Sequence, residues 1–350
     1  MSRSRAILVA GATYIGTVVG AGFASGQEVL QFFGLLGPSG ILAIIVTAAG
    51  FAFFGFAIME AGRKMKAKSH LPVIREVSGR FISPFLDAVA TFFLFGALSA
   101  MIAGAGSVLS QEVGVSWLIG AGFLLLATVV TVLLGLKGVV AAVSTVVPFL
   151  LAGVLIVSIT VLVARGPSLG VPPAAAKPVV RTWPLAGLTY ISYNLMMSVP
   201  VLASLGTTLR SRKEVAASAL VGSLGLGTAL VLVYLAVVSS FPGVLVYEVP
   251  MAGMASEAHR LGGRFYTLIF LAEVYTTAVA NLYGFAARMA PPGSVNFKAV
   301  AILAGSASLW AGSVGFTNLV KTVYPAVGWA GSIFLAALLV YVLRGRLKSK

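Results

Sequence analysis

The sequence predicts an all-α membrane protein of about ten transmembrane helices, arranged as two inverted repeats of five with the first and sixth helices broken. Three observations predict it. Hydrophobic residues make up 59% of the 350 and charged residues only 9%, where a soluble domain carries about a quarter of its residues charged. Apolar runs of about 20 residues or more, enough to cross a hydrocarbon core, alternate with short charged clusters. The opening run of each half is interrupted by residues that leave backbone groups without helical partners, which lipid cannot supply.

The first run, 6–36, contains Gly16-Thr17-Val18-Val19-Gly20-Ala21-Gly22-Phe23-Ala24-Ser25-Gly26-Gln27-Glu28, with four glycines in eleven residues. Helix is costly there. Arg3 and Arg5 followed by Ala21–Gly26 imitate a cleavable signal peptide, but the hydrophobic run resumes after Glu28 as far as Leu36, so the segment is read as retained. Runs at 39–61, 82–109, 115–134 and 138–164 complete a first repeat over 6–164. The loop 165–182, rich in proline and small residues, separates it from a second repeat over 183–343. That repeat has runs at 183–208 (interrupted), 213–240, 263–288, 296–312 and 315–343. All belong to one membrane domain, 1–350. An offset of about 178 residues between the two starts carries Gly20 onto Ser198, so the breaks correspond, and paired broken helices in an inverted repeat point to a transporter's central site.

The net charge of +15 is topological. With a cytoplasmic N-terminus, 18 basic residues fall in cytoplasmic loops and tails and five on the other side, 165–182 included; this bias predicts a bacterial-type cytoplasmic membrane protein with both termini cytoplasmic. The basic residues lack the aromatic interleaving of a nucleic-acid surface, so the expected partners are the bilayer and a small-molecule substrate. There is no cysteine, and His70 and His259 are isolated and expected in loops. The spans therefore hold no thiolate, no His cluster and no paired Asp, which argues against an enzyme and against any cofactor.

Polar residues inside spans are the candidates for function. Ser25-Gly26-Gln27-Glu28 has the spacing of a capping box, which would start the second half-helix with its positive end toward the midplane, where an anionic group is favoured; Glu28 is either that cap or a substrate or coupling group. The second break, Tyr190-Ile191-Ser192-Tyr193-Asn194-Leu195-Met196-Met197-Ser198-Val199-Pro200, combines hydroxyl, amide and aromatic groups with a proline that removes a donor. In 263–288, Glu273, Thr276, Thr277 and Asn281 share a face and suit a hard cation such as sodium or a titrating proton carrier. Lys321, the only basic residue within a span, is expected to pair with Glu28 or Glu273. Asp87 is read as solvated, and Phe92, Phe93 and Phe95 as packing.

The first break resembles the signature of the YkvI-type membrane proteins, and the layout resembles the LeuT fold of the amino acid/polyamine/organocation transporters over essentially the whole chain. Sodium-coupled members of that fold carry G-x-x-V-G-x-G, matched by Gly16, Val19, Gly20 and Gly22. The resemblance implies a sodium site from the Gly16 and Val19 carbonyls with the Thr276 and Thr277 hydroxyls. It implies that the Val18 carbonyl, Gly20, Ala21 and Gly22 face the substrate with Tyr190, Tyr193 and Asn194; Ser25 and Ser198 join this set from their positions in the breaks. Phe23 replaces an asparagine of a second sodium site, and Glu273 stands where such members have a small neutral residue, so proton coupling stays open. The leading expectation is ion-coupled symport of a small polar solute, an amino acid or related amine, by alternating access, with Glu28, Glu273 and Lys321 as coupling groups. A proton-coupled exporter or exchanger, and a membrane sensor or channel without a transport cycle, are the alternatives.

Overall fold

A computed structural model describes residues 3–67, 70–134 and 136–347; Lys68, Lys348 and Lys350, counted among the cytoplasmic charges, lie outside the described residues. The described chain folds into helices α1 (Arg3–Val18), α2 (Ala21–Ala24), α3 (Gln27–Phe32), α4 (Gly40–Met65), α5 (His70–Val113), α6 (Trp117–Leu133), α7 (Leu136–Arg165), α8 (Trp183–Thr208), α9 (Arg212–Val238), α10 (Pro250–Ala258), α11 (Arg260–Met289), α12 (Val295–Gly312) and α13 (Phe316–Leu343). Among the described residues, seven segments are long and apolar enough to cross a membrane: Gly34–Met65, which ends in α4, and six within α5, α8, α9, α11, α12 and α13. The remaining expected spans are α6, α7 and the interrupted chain of α1, α2 and α3.

The first helix breaks where its glycines are. α1 stops at Val18, Gly20 is extended (φ −125°, ψ −172°), and the chain re-enters helix for a single turn at Ala21. Gly26, at φ 77°, then makes a left-handed turn into α3, a conformation that a side chain disfavours. The last carbonyls of α1 and the first N–H groups of α2 consequently have no partner inside their own helices.

The sixth span departs from expectation: α8 is one uninterrupted helix from Trp183 to Thr208 with Pro200 inside it. No glycine lies between Gly187 and Gly206 to release the backbone, and a proline alone removes one donor. The polar side chains expected to mark a break bond back to their own helix instead: Asn194 Nδ2 donates to the Tyr190 carbonyl at 3.0 Å and Ser198 to the Asn194 carbonyl at 2.7 Å; beyond them Ser204 donates to the Pro200 carbonyl at 2.9 Å.

Two helical pieces were not legible in the hydropathy pattern. α5 begins at His70, ahead of a reversal at Gly79 (φ 77°), so His70 lies in a helix and not a loop. The connection after α9 contains α10, which pins the first break: Met251 N donates to the Ser25 carbonyl at 2.9 Å. His259 caps α11, its side chain accepting from Gly262 N.

Small residues bring the spans together, as expected where lipid provides no hydrophobic drive between helices. α4 and α8 run side by side, Gly62 lying on the Ala203 backbone and Gly206 on the Met59 backbone. α1 and α9 make the reciprocal pair, with Gly11 against Val221 and Gly222 against Tyr14. Second span on sixth and first on seventh is the exchange that an inverted two-fold repeat requires.

Candidate functional site

The break in the first span faces α8 across a cavity of about 130 Å³. Its wall comes from the first break and five further helices. Thr17 to Gly22 supply the broken backbone, α3 supplies Glu28, α5 supplies Phe93, Ala97 and Met101 at helical spacing, and α8 supplies Tyr193, Asn194 and Met197. Thr277 and Asn281 of α11 and Tyr324 of α13 close it. An apolar cavity of about 150 Å³ takes a benzene ring, so the space suits a small solute.

Glu28 is the centre of the arrangement. It is 5% exposed, and Tyr193 Oη donates to its Oε2 at 2.5 Å. Its other oxygen lies directly on Gly22, where any Cβ would overlap the carboxyl group. Tyr193 is held in turn by rings: Tyr324 at 5.3 Å edge-on, Tyr190 at 5.3 Å, Phe32 at 5.7 Å and Phe93 stacked at 6.5 Å. Among the described residues, no lysine, arginine or histidine lines the cavity. A carboxylate in such surroundings needs a cation or a proton from outside the protein.

The predicted residues divide. Val18, Gly20, Ala21, Gly22, Glu28, Tyr193, Asn194 and Thr277 meet in this cavity. Tyr190 is packed on Phe33 at 4.8 Å, and its hydroxyl also interacts with Glu28. Ser198 is buried and bonded into its own helix. Ser25 is not the cap of a half-helix: its hydroxyl donates to the Gly22 carbonyl at 2.6 Å and accepts from Gln27 N at 3.0 Å, while Gly26 occupies the cap position of α3. Glu28 accordingly does not close a capping box and points to Tyr193 instead. The helix end that meets the cavity is that of α2 at Gly20 to Gly22.

The threonine pair of α11 also separates. Thr276 donates back to the Glu273 carbonyl at 3.0 Å, whereas Thr277, in the cavity wall, donates to Glu273 Oε1 at 3.2 Å. Glu273 Oε2 and Asn281 Nδ2 are buried without a partner among the described residues. Thr277 is therefore the oxygen that α11 offers to the first break; the expected set of Gly16, Val19, Thr276 and Thr277 has its Thr276 hydroxyl turned away toward its own helix.

Lys321 pairs with neither Glu28 nor Glu273. It is exposed, in a second cleft of about 490 Å³ that also contains Gln27, Gln31, Lys177 and Glu248. One helical turn into α13, its long side chain stays in water, which costs less than burial. α3 divides this cleft from the cavity, since neighbouring Gln27 and Glu28 face opposite sides, and Gln27 Nε2 ties α3 to α13 through Thr317 at 2.7 Å. Asp87 is not simply solvated: Arg288 at the end of α11 donates to its Oδ1 at 2.5 Å and to its carbonyl at 3.0 Å. Phe93 belongs to the cavity wall, while Phe92 is exposed on the outside and Phe95 packs on Phe285.

Over 329 residues, 93% of either chain, the sequence is 30% identical to the membrane protein YkvI of Bacillus subtilis (strain 168). The chain belongs to the YkvI family of membrane proteins. A second relative of this YkvI-type chain, the protein YyaD of the same organism, is 27% identical over 335 residues, covering 95% of this chain and 96% of its own. No family model matches. Among solved structures, the inward-facing conformation of Mhp1 superposes with a TM-score of 0.69 at 13% identity, over 96% of this chain and 76% of that one. Mhp1, a nucleobase-cation-symport-1 family transporter, in a closed conformation with bromovinylhydantoin bound gives 0.62 at 17%, over 98% and 79%. A manganese transporter of Eremococcus coleocola gives 0.57 at 14%, over 95% and 78%. The fold is thus LeuT-like, shared with the transporter Mhp1.

Proposed function

We propose that this YkvI-type protein is a secondary transporter, an ion-coupled symporter that moves a small amine-bearing solute, an amino acid or related amine, by alternating access. The observation that carries this reading is Glu28: a carboxyl group in a small cavity with no basic side chain in the wall, braced by a tyrosine hydroxyl and surrounded by rings. An ammonium group satisfies such a carboxylate by charge and hydrogen bonding and is attracted to the faces of Phe93, Tyr193 and Tyr324. The N–H groups at Gly20 to Gly22, free of helical partners, are donors suited to a carboxylate on the same solute. Movement of one part of the bundle against the other would open the cavity in turn to the outer cleft beside Gln27 and to an inner one of about 640 Å³ beside Arg63 and Thr207.

The repeats over 6–164 and 183–343, the cytoplasmic placement of both termini and the position of the 165–182 loop outside belong to this proposal. So does sodium, held by the carbonyls of Gly16 and Val19 with Thr277, as the coupling ion that travels with the solute. One observation favours a second reading, proton-coupled exchange or export: Thr277 is bonded to Glu273, whose second oxygen is buried without a partner, so a proton on Glu273 could take the place of the ion.

Uptake of radiolabelled amino acids and amines into proteoliposomes, driven either by sodium or by a pH gradient, tests both readings. Sodium-driven uptake lost in Thr277→Val supports the first. Uptake driven by the pH gradient, indifferent to sodium and lost in Glu273→Gln supports the second, and no gradient-driven uptake of any solute overturns both.

A further inference from the structure

The rings in the wall of the central cavity form three sides of a box. Phe93 and Tyr193 lie within 28° of parallel, their centroids 6.5 Å apart. Tyr324 stands across both, at 71° to Phe93 and 76° to Tyr193, with centroids 5.5 and 5.3 Å away. The three come from α5, α8 and α13 and are buried. Because the Tyr193 hydroxyl is bound to Glu28, that side chain offers the cavity a ring face. A ring face is electronegative, so the box attracts a cation without giving it a hydrogen bond.

The hydrogen-bonding groups around the box are already engaged. Glu28 Oε2 accepts from Tyr193 at 2.5 Å, the Tyr190 hydroxyl is at the same carboxyl group, and Oε1 lies on Gly22. The Thr277 hydroxyl is directed at Glu273, and Asn194 Nδ2 at the Tyr190 carbonyl. What the site leaves uncompensated is charge, since no basic side chain lines the cavity among the described residues. That combination separates one kind of ammonium from another. A primary ammonium carries three N–H donors, and each that leaves water without finding an acceptor is costly. A trimethylammonium group has no donor to satisfy and presents its charge through methyl groups. It is smaller than a benzene ring, which a cavity of about 150 Å³ accepts; this one is about 130 Å³.

We infer that the solute's cation is a fully methylated ammonium group, seated among Phe93, Tyr193 and Tyr324 with Glu28 as its counter-charge. Asn281 supplies the other anchor. It lines the same cavity, and its Nδ2 is buried without a partner among the described residues, which makes it a donor for an oxygen at the solute's other end. Within the amine-bearing solutes proposed above, the class this selects is that of trimethylammonium alcohols and carboxylates. The narrowing rests on the reading that the cavity around Glu28 receives an amine-bearing solute.

Isothermal titration of the purified full chain in sodium buffer with two matched pairs tests it: ethanolamine against choline, and glycine against its trimethyl derivative. In each pair the methylated member should bind at least about tenfold tighter, and the neutral carbon isostere of choline should not bind. Tyr324→Leu and Phe93→Leu should each weaken binding of the methylated members by about thirtyfold, the contribution of a desolvated cation over a ring. Tyr324→Phe keeps the ring and should keep the affinity; the thermal transition of each variant checks that it is folded. Primary amines that bind as tightly as their methylated counterparts would overturn the inference and leave the amine reading of Glu28 standing. An isostere that binds as well as choline would overturn it because charge would then play no part, as would unchanged affinity in both leucine variants. Binding by none of the four amines would overturn the inference together with the reading on which it rests.

Discussion

Gly22→Ala is the smallest change that tests the architecture of the cavity. The added Cβ would overlap Glu28 Oε1 and lie 2.7 Å from its Cδ and 3.0 Å from its Cγ. The carboxyl group must swing away and give up the 2.5 Å bond from Tyr193. A hydrogen bond to a charged group contributes about 1.5–3 kcal/mol, so affinity for the solute should fall by about 10- to 150-fold. Overpacking adds a destabilisation of about 1–3 kcal/mol. Gly20→Ala is the matched control: Gly20 is extended at φ −125° and has no atom within 4 Å of the added methyl, so Glu28 stays where it is and the melting temperature is preserved. The assay is isothermal titration with whichever amine-bearing solute raises the melting temperature most. Undiminished affinity in Gly22→Ala would refute the proposed contact between the broken backbone and the carboxylate.

Other predictions follow from individual contacts. Tyr193→Phe keeps the ring stack but removes the 2.5 Å bond to Glu28 and leaves only Tyr190 beside the carboxyl group, so binding should weaken by about 10- to 150-fold in the same titration. Gly206→Leu, placed against the Met59 backbone, should force α4 and α8 apart and lower the melting temperature measured in detergent, by overpacking of about 1–3 kcal/mol or more. Arg288→Ala removes a pair in which Asp87 is 45% exposed, so solvent screening limits the loss to about 1 kcal/mol or less in chemical denaturation. Lys321→Gln, on an exposed residue, should alter stability by no more than about 0.5 kcal/mol; a large loss there would restore the buried ion pair that the sequence suggested.

Most helices were legible because lipid imposes a simple rule: long apolar runs, closed by charge, must be helices. The first break was legible for a related reason, since four close glycines make continued helix expensive. The second was misread because Asn194, Ser198 and Pro200 carry polar groups that a helix can absorb by bonding to the carbonyl one turn back. Hydropathy could not locate α10, a short helix whose role depends on a bond to Ser25, more than 200 residues away. Thr17, Phe93, Ala97, Met101, Met197 and Tyr324 were missed as cavity residues for another reason. The spacing of 93, 97 and 101 marks one face, but nothing in an apolar stretch says whether that face meets lipid, another helix or a solute. Lys321 was assigned a buried partner on the rule that charge in a span is costly; one turn from the helix start, the cleft supplies water instead.

The central claim is that Glu28 receives the amine of the transported solute. Thermal unfolding of the intact protein and of Glu28→Gln, across amino acids, their decarboxylated amines and the matching carboxylic acids without an amine, each in sodium or potassium, tests it most directly. A ligand at 100 times its Kd stabilises the native state by about 2.7 kcal/mol. The account predicts that at least one amine-bearing solute raises the melting temperature of the intact protein and leaves Glu28→Gln unmoved. Equal shifts in both proteins, or a shift produced by the acid that lacks the amine, would contradict it.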